Sequence, residues 1–517
     1  MKRSRTFYSI TNTATGIVAQ LLTQLLTFIN RTIFIRFLDV TYLGCNGLFS
    51  NILSMLSLAE LGIGAAIVFC LYKPIGEQNE KKIKAYMNSY RKAYHIIAVI
   101  IFGVGLCLLP FLDVLVANAS GISYDELRII YVLFLLNTVV SYFFTYKRSL
   151  LSAAQKEYIN TINTTLFNLI KNILQIFILF LTKSYYAYLG VIIVCTVLSN
   201  LVVSYQCDRL FPYLKDNKER LDKKEKIQLY KYVLAQASHK VGGIVVSSTD
   251  NLLITLLVNN GLFFVGLYSN YLVISSTVKS IMSVVMSSLT GSVGNLNAME
   301  ATERQKYIFD DMFFANAMFY GIVSVCLACL IQDFIILWLG TGYLLSYGVI
   351  LTFILNFYIT GMRAACQVYN TTLGLFWNDR FKPWIEAAIN LIVSIFLLRL
   401  YGLIGVFLGT LVSTVTTSMW VEPYILYKHG FHKPLWDYFS KYVVYFFETI
   451  ILFAVSMCST KWIMCNNWGN WILKGIIVFG ISTCSFMLLN FKRKEFKDLK
   501  GRILDIFYKI MKKRRTA

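Results

Sequence analysis

Apolar residues in this chain fall in runs of about twenty, separated by short charged connections. A helix of that length covers the hydrocarbon core of a bilayer, and lipid offers the backbone no hydrogen bonds, so such runs must be helical. Fourteen spans are expected, at 10–37, 43–72, 93–117, 124–146, 158–182, 187–205, 232–258, 262–290, 311–331, 345–371, 384–400, 402–424, 442–459 and 471–490. The fold class is therefore all-α: a polytopic membrane protein of about 14 transmembrane helices. Not every run is uniformly apolar. In QLLTQLLTFINR (20–31), Gln20, Gln24, Thr27 and Arg31 recur at spacings of four, three and four. That places them on one helix face, with Leu and Ile around the rest.

Composition agrees with the pattern. The chain has 517 residues, 57% of them hydrophobic and only 15% charged, where a soluble domain holds about 25% charge. The N-terminal stretch MKRSRTFYSITNTATG has no apolar core and no small-residue cleavage site, so no cleaved signal peptide is expected.

The net charge of +22 has an ordinary explanation. With both termini cytoplasmic, 38 of the 49 Lys and Arg fall in the termini and inward-facing connections, eleven of them in the tail 491–517. This is the positive-inside bias of a multi-pass protein of the cell membrane. It also suits the tail to anionic lipid. No nucleic-acid-binding module accompanies the charge, so nucleic acid is not an expected partner.

A repeat divides the chain. GLFSNIL at 47–53 returns as GLYSNYL at 266–272, and FLLN at 134–137 returns as FILN at 353–356, both at an offset of 219. Six spans per unit is an even number, so the two halves form a parallel repeat. The expected organisation is an N-terminal six-helix lobe (1–205), a charged cytoplasmic linker (206–231), a C-terminal six-helix lobe (232–424), two additional helices (442–490) and a basic tail (491–517). At this offset Gln20, Gln24, Thr27 and Arg31 map onto His239, Gly243, Val246 and Asp250, and Glu60 maps onto Lys279. Each half carries one acid and one base at matched positions with the signs exchanged. Separately paired structural charges would explain this; a shared wet cavity explains it better, because intramembrane charges usually face water or a site.

Ten charges fall at membrane depth: Arg31, Arg36, Lys171, Lys240, Lys279 and Arg363 against Glu60, Asp250, Glu386 and Glu448. Each costs roughly 2.5–3.5 kcal/mol at mid-bilayer on the lenient scale. Arg36 can snorkel to the headgroups, and Glu386 and Glu448 lie near the inner surface. Arg31, Lys171, Lys240, Lys279 and Arg363, partly balanced by Glu60, leave a basic surplus suited to an anionic ligand such as phosphate. Gln20, Gln24 and Thr27 offer hydrogen bonds to sugar hydroxyls. Glu386 and Asn390 share a helix face, as do Thr410 and Thr414. With Asp250 they form a candidate oxygen-ligand set for a small coupling cation, Na⁺ or H⁺, against the plainer reading of helix–helix hydrogen bonds.

No enzyme is expected. The sequence has no P-loop, no GxSxG elbow and no HExxH, and its connections are too short for a catalytic domain. The eleven cysteines are scattered; Cys326 and Cys329 form a CxxC in mid-helix and read as packing residues. His429 and His432 have no further ligands nearby, so neither a metal nor a bound cofactor is expected.

The stretch RTIFIRFLDVTYLGCNGLFSNILSMLSLAELGIGAAIVFCLYKPI (31–75) resembles the opening of bacterial polysaccharide-biosynthesis flippases, and KVGGIVVSSTDNLLI (240–254) agrees. Asp39 and Thr41 depart from that pattern, standing where a glycine and an acidic residue are expected. The resemblance implies the multidrug/oligosaccharidyl-lipid/polysaccharide exporter fold, two six-helix lobes in a V. The cargo it implies is an undecaprenyl-diphosphate-linked oligosaccharide, flipped outward by alternating access for capsule, exopolysaccharide or O-antigen synthesis. Membrane lipid, a polysaccharide polymerase and glycosyltransferases are the partners it implies. It also implies a sodium site among the helices of the second lobe. A drug or cation antiporter of the same fold is the alternative, and would need an acidic cavity; a non-transporting scaffold would not need ten intramembrane charges.

Overall fold

The computed structural model describes residues 22–60, 63–112, 122–154, 156–214, 219–375 and 378–501. The described secondary structure is helical. In chain order the helices are α1 (22–37), α2 (Val40–Leu56), α3 (Ile63–Gly76), α4 (Glu80–Cys107), α5 (Tyr124–Ala153), α6 (Glu157–Thr182), α7 (Tyr185–Leu210), α8 (Lys223–Leu257) and α9 (Gly261–Met299). They continue as α10 (Thr302–Leu339), α11 (Tyr347–Met362), α12 (Ala364–Thr372), α13 (Lys382–Tyr401), α14 (Leu403–Thr416), α15 (Ser418–Ile425), α16 (Trp436–Thr460) and α17 (Trp468–Asn490). Eleven described helical stretches are long and apolar enough to cross a membrane. The other three expected spans are met by α1, by α2 with α3, and by α8. The chain is a multi-pass membrane protein.

Three expected spans are broken. The second is interrupted by the 3₁₀ turn Ser57–Glu60, so Glu60 sits on a turn and not in a continuous helix. The tenth breaks at Arg363 between α11 and α12; Asn316 donates to the freed carbonyls of Gly361 (3.1 Å) and Met362 (3.2 Å). The twelfth breaks at Thr417, and Leu426–Phe431 then winds as a π-helix beyond Pro423. Non-helical backbone at membrane depth persists where protein groups satisfy it. The departure at Asp39 and Thr41 is a helix cap: the Asp39 carboxylate accepts from the Thr41 amide (2.7 Å) and hydroxyl (2.6 Å) and starts α2.

By packing, the chain forms two compact units: Met1–Val273 with Pro383–Leu398, and Ile274–Lys382 with Arg399–Ala517. This cut falls inside α9 and α13, whereas the expected repeat would cut at the 206–231 linker. In the first unit α5 lies against α4 and α7, α6 against α7, and α2 and α3 against α8. There α2 crosses the start of α9. A Cβ on Gly44 would lie 2.0 Å from the Leu262 carbonyl oxygen, and one on Gly266 would lie 2.4 Å from that of Val40. Only glycine allows backbones to cross this closely. The linker is anchored in the same unit. Leu221 is buried, Asn88 donates to the Glu219 carbonyl (2.9 Å), and Lys82 pairs with Glu225 (3.2 Å).

In the second unit α10 packs on α11, α16 and α17, and α11 on α14. Aromatic rings fill the α10–α16 seam, with Phe313 stacked on Tyr438 at 4.7 Å. The tail leaves α17 on charge partners: Arg493 bonds Glu448 (3.2 Å), Glu495 pairs with Lys441 (2.9 Å), and Asp498 accepts from Tyr307. The Lys441 ammonium matters to Glu495: burial alone would raise its carboxyl, but a backbone hydrogen bond and Lys441 hold it below the ordinary value.

Candidate functional site

α6 shows how the first unit handles polarity. Its inward face carries Asn160, Asn163, Asn172 and Gln175, all buried, while Ile162, Leu166, Ile173 and Phe177 face outward. In lipid this inverted amphipathicity is the stable one: apolar residues meet the tails and polar ones hydrogen-bond inside. Asn30 of α1 donates to Asn172 (2.9 Å) and Gln175 (2.8 Å), fixing α1 on α6. Lys171 borders this seam and donates to Asn168 (3.1 Å).

Arg31, the next residue of α1, reaches across the repeat. Its Nε donates to Asn270 Oδ1 (2.7 Å), and its terminal nitrogen donates to the Ser269 hydroxyl. Both partners belong to the returning motif GLYSNYL. Along the opening stripe, Thr27 turns its hydroxyl back to the Thr23 carbonyl (2.8 Å), and Gln24 is half-buried. Gln20 lies outside the described residues. Glu60 accepts from Tyr94.

The candidate cation ligands divide between the units. In the first, Glu386, Asn390 and Ser394 form a buried polar stripe on α13. Thr249 of α8 donates to Asn390 (3.1 Å), which brings that stripe to the residue preceding Asp250. Thr414 is buried in the second unit, and Thr410 there donates to the Val406 carbonyl (3.3 Å).

The second unit places its predicted cations in different surroundings. Arg363, at the α11–α12 break, is bidentate on Glu422: Nε to Oε2 at 3.0 Å and the terminal nitrogen to Oε1 at 2.5 Å. Lys382 also bonds Glu422 (2.5 Å) and pairs with Asp379 (3.1 Å). Lys382, Asp379 and Glu422 are buried, Arg363 is half-buried, and the four charges balance. Glu422 went unnoticed in the sequence because it lies at the very end of its expected span; its place beside Pro423 inside an apolar run was the available signal.

Lys279 is exposed on α9 and borders a cavity of about 340 Å³. Its ammonium lies 5.5 Å from the Phe357 ring centre, and among the described residues of its unit no carboxylate pairs with it. The other polar groups around the cavity are neutral: Ser283, Thr290, Tyr320, Thr360, Gln367 and Thr371. Several come from the broken α11–α12 pair, so the break shapes the cavity wall. The neutral lining was not foreseen from the sequence, since hydroxyls and amides are common in such helices. Lys240 belongs to α8, with its side chain outside the described residues.

The fold is shared with solved transporters. The lipid II flippase MurJ in an inward-closed conformation aligns over 93% of this chain and 100% of its own, with a TM-score of 0.66 and 17% identity. An inward-facing multidrug resistance MATE family transporter of the MOP superfamily aligns over 79% of this chain and 98% of its own (TM-score 0.63, 13% identity). A point mutant of the Vibrio cholerae MATE transporter VcmN aligns over 83% and 98% (TM-score 0.59, 13% identity). Identities this low carry the fold and not the cargo. No curated protein matches the chain by sequence. The polysaccharide biosynthesis protein family matches residues 9–290, more than half of the chain, and the protein belongs to that family.

Proposed function

We propose that the protein moves undecaprenyl-diphosphate-linked oligosaccharide repeat units from the cytoplasmic to the outer face of the cell membrane. The observation that carries this reading is Lys279: a cation facing a cavity whose other polar groups are neutral hydroxyls and amides. A diphosphate leaving water needs charge-assisted partners, and sugar hydroxyls need neutral ones. A drug or cation antiporter would need carboxylates around the cavity, and none lines this one among the described residues. Arg31 and Lys171, bonded only to neutral groups in the contacts described above, are further candidate cations for a diphosphate. Arg363 contributes least, because Glu422 already occupies its fork.

The coupling ion belongs to the same proposal. Asp250, Glu386 and Asn390, all of the first unit, are the protein oxygens we assign to it. If Glu386→Gln and Asp250→Asn leave transport and its Na⁺ or pH dependence unchanged, the assignment fails. For the orientation, single cysteines at 118 and 466 in a cysteine-free background should react with an impermeant thiol reagent from outside, and cysteines at 80 and 218 should not. Deleting the gene tests the function itself. Lipid-linked repeat units should accumulate on the cytoplasmic face while surface polysaccharide disappears; unchanged levels of both would refute the reading.

A further inference from the structure

A second polar cavity, of about 260 Å³, lies in the first unit. Asn88 and Arg91 of α4 share one face of it, three residues apart. Tyr146 and Lys147 of α5 and Asp208 of α7 form other walls, and Leu214, just past α7, closes it. All these groups sit at the polar ends of their helices. On α4 the apolar stretch begins directly after Lys92, and Ile96, Val99 and Ile100 are exposed. On α7, Tyr205 is 69% exposed three residues before Asp208. The cavity therefore opens where a lipid-facing belt gives way to charge, at the depth of lipid headgroups.

Its electrostatics favour an anion. Lys147 pairs with Asp208 at 2.6 Å and also bonds Ser204 at 2.7 Å, so Asp208 is already neutralised. The remaining charge is Arg91, which is exposed and makes no ion pair among the described residues. Around it stand an amide donor (Asn88) and a phenol (Tyr146), while the Lys147 ammonium is taken up by Asp208 and Ser204. A planar guanidinium with further donors on other sides matches a tetrahedral oxyanion, which takes several hydrogen bonds at once. We infer that this cavity binds a phosphate group, either the phosphodiester of an anionic lipid or free inorganic phosphate. The site lies outside the residues assigned to the cargo and does not depend on what the cargo is.

The position gives binding a consequence. Asn88 holds the linker through the Glu219 carbonyl, and Lys82, six residues earlier on α4, holds it through Glu225. A phosphate on Arg91 and Asn88 thus sits where the linker leading into α8 is fastened to α4.

The test uses the purified full-length protein in detergent with two phosphate probes, phosphatidylglycerol and inorganic phosphate. Diacylglycerol, which lacks the phosphate, and chloride are the respective controls. Native mass spectrometry reads the lipid, and thermal protection reads inorganic phosphate. The wild type should retain phosphatidylglycerol over diacylglycerol, and Arg91→Gln should weaken that binding about tenfold or more, the scale of one charge-assisted hydrogen bond. Arg91→Lys should fall between them. Protection by inorganic phosphate with no lipid preference, lost in Arg91→Gln, would identify water as the source. Binding of both probes by Arg91→Gln at the wild-type level, or of neither by the wild type, overturns the proposal. Should Arg91→Gln fail to fold, Arg91→Ala, which removes the same exposed charge, is read the same way.

Discussion

Arg363 and Lys279 are both cations of the second unit, and they are held in opposite ways. Arg363 is half-buried and bidentate on the buried Glu422, which Lys382 also bonds, and Asp379 completes a quartet with no net charge. Lys279 is exposed at the edge of a cavity, near an aromatic ring and neutral hydrogen-bonding groups. The first arrangement spends its electrostatics on holding α12, α13 and α15 together. The second leaves a charge available to something else. An intramembrane cation is thus evidence of a ligand only once its partners are known; paired inside the protein, the same residue type is a bolt.

The largest effect on stability should come from breaking the quartet. Arg363→Ala leaves Glu422 buried with one cation fewer, and removing one partner of a buried pair costs about 3–5 kcal/mol. Thermal unfolding in detergent should show a clearly lowered midpoint, and the amount of protein in the membrane should fall. Arg363→Met with Glu422→Gln removes both charges and leaves Lys382 on Asp379, so much of the loss should return. A stable double variant that still transports would confine Arg363 to structure. A stable double variant that does not transport would restore it to the diphosphate site and weaken the contrast.

A smaller loss should follow at the helix break that the two regions share. Asn316→Ala strips two carbonyls, Gly361 and Met362, of their side-chain donor. Unsatisfied buried polar groups cost about 1–3 kcal/mol. Because Thr360 and Gly361 line the Lys279 cavity and Arg363 begins the quartet, this substitution should disturb both regions at once. Hydrogen exchange across 358–368 should rise relative to the wild type. Unchanged exchange there would mean that the break is held by packing alone, with Tyr320 against Gly361 the obvious contact.

How much of this was legible beforehand follows from the same physics. Helix positions were readable because lipid imposes one pattern, and α5, α6, α10 and α16 lie where the apolar runs put them. The breaks at Glu60, Arg363 and Thr417 were not, since a 3₁₀ turn or an Asn-capped break leaves the hydropathy of a run unchanged. Repeat arithmetic set Arg31 against Asp250, but the described partners of Arg31 are Ser269 and Asn270, in the returning motif GLYSNYL. Charge type was visible and charge partnership was not. Nothing in the spacing of Arg363, Lys382 and Glu422 along the chain announces that three helices bring them together.

Lys279→Ala sharpens the contrast because it should change stability least. The side chain is exposed and pairs with no carboxylate of its unit, so its loss leaves no buried charge behind. Substitutions of that kind usually stay within about 0.5 kcal/mol. The weak attraction to the Phe357 ring, about 0.5–1 kcal/mol at an exposed site, sets the upper end. Unfolding midpoint and membrane level should therefore match the wild type, while surface polysaccharide should be lost, since the proposed phosphate contact goes with the ammonium. Lys279→Arg should keep part of the activity, because the charge survives in a different shape. Two results would break the comparison. If Lys279→Ala destabilises as much as Arg363→Ala, Lys279 has a structural role and is not held available for a ligand. If it is stable and transports normally, the one cation among the described lining residues is not what holds the cargo, and the proposed diphosphate site must be sought around Arg31 and Lys171 instead.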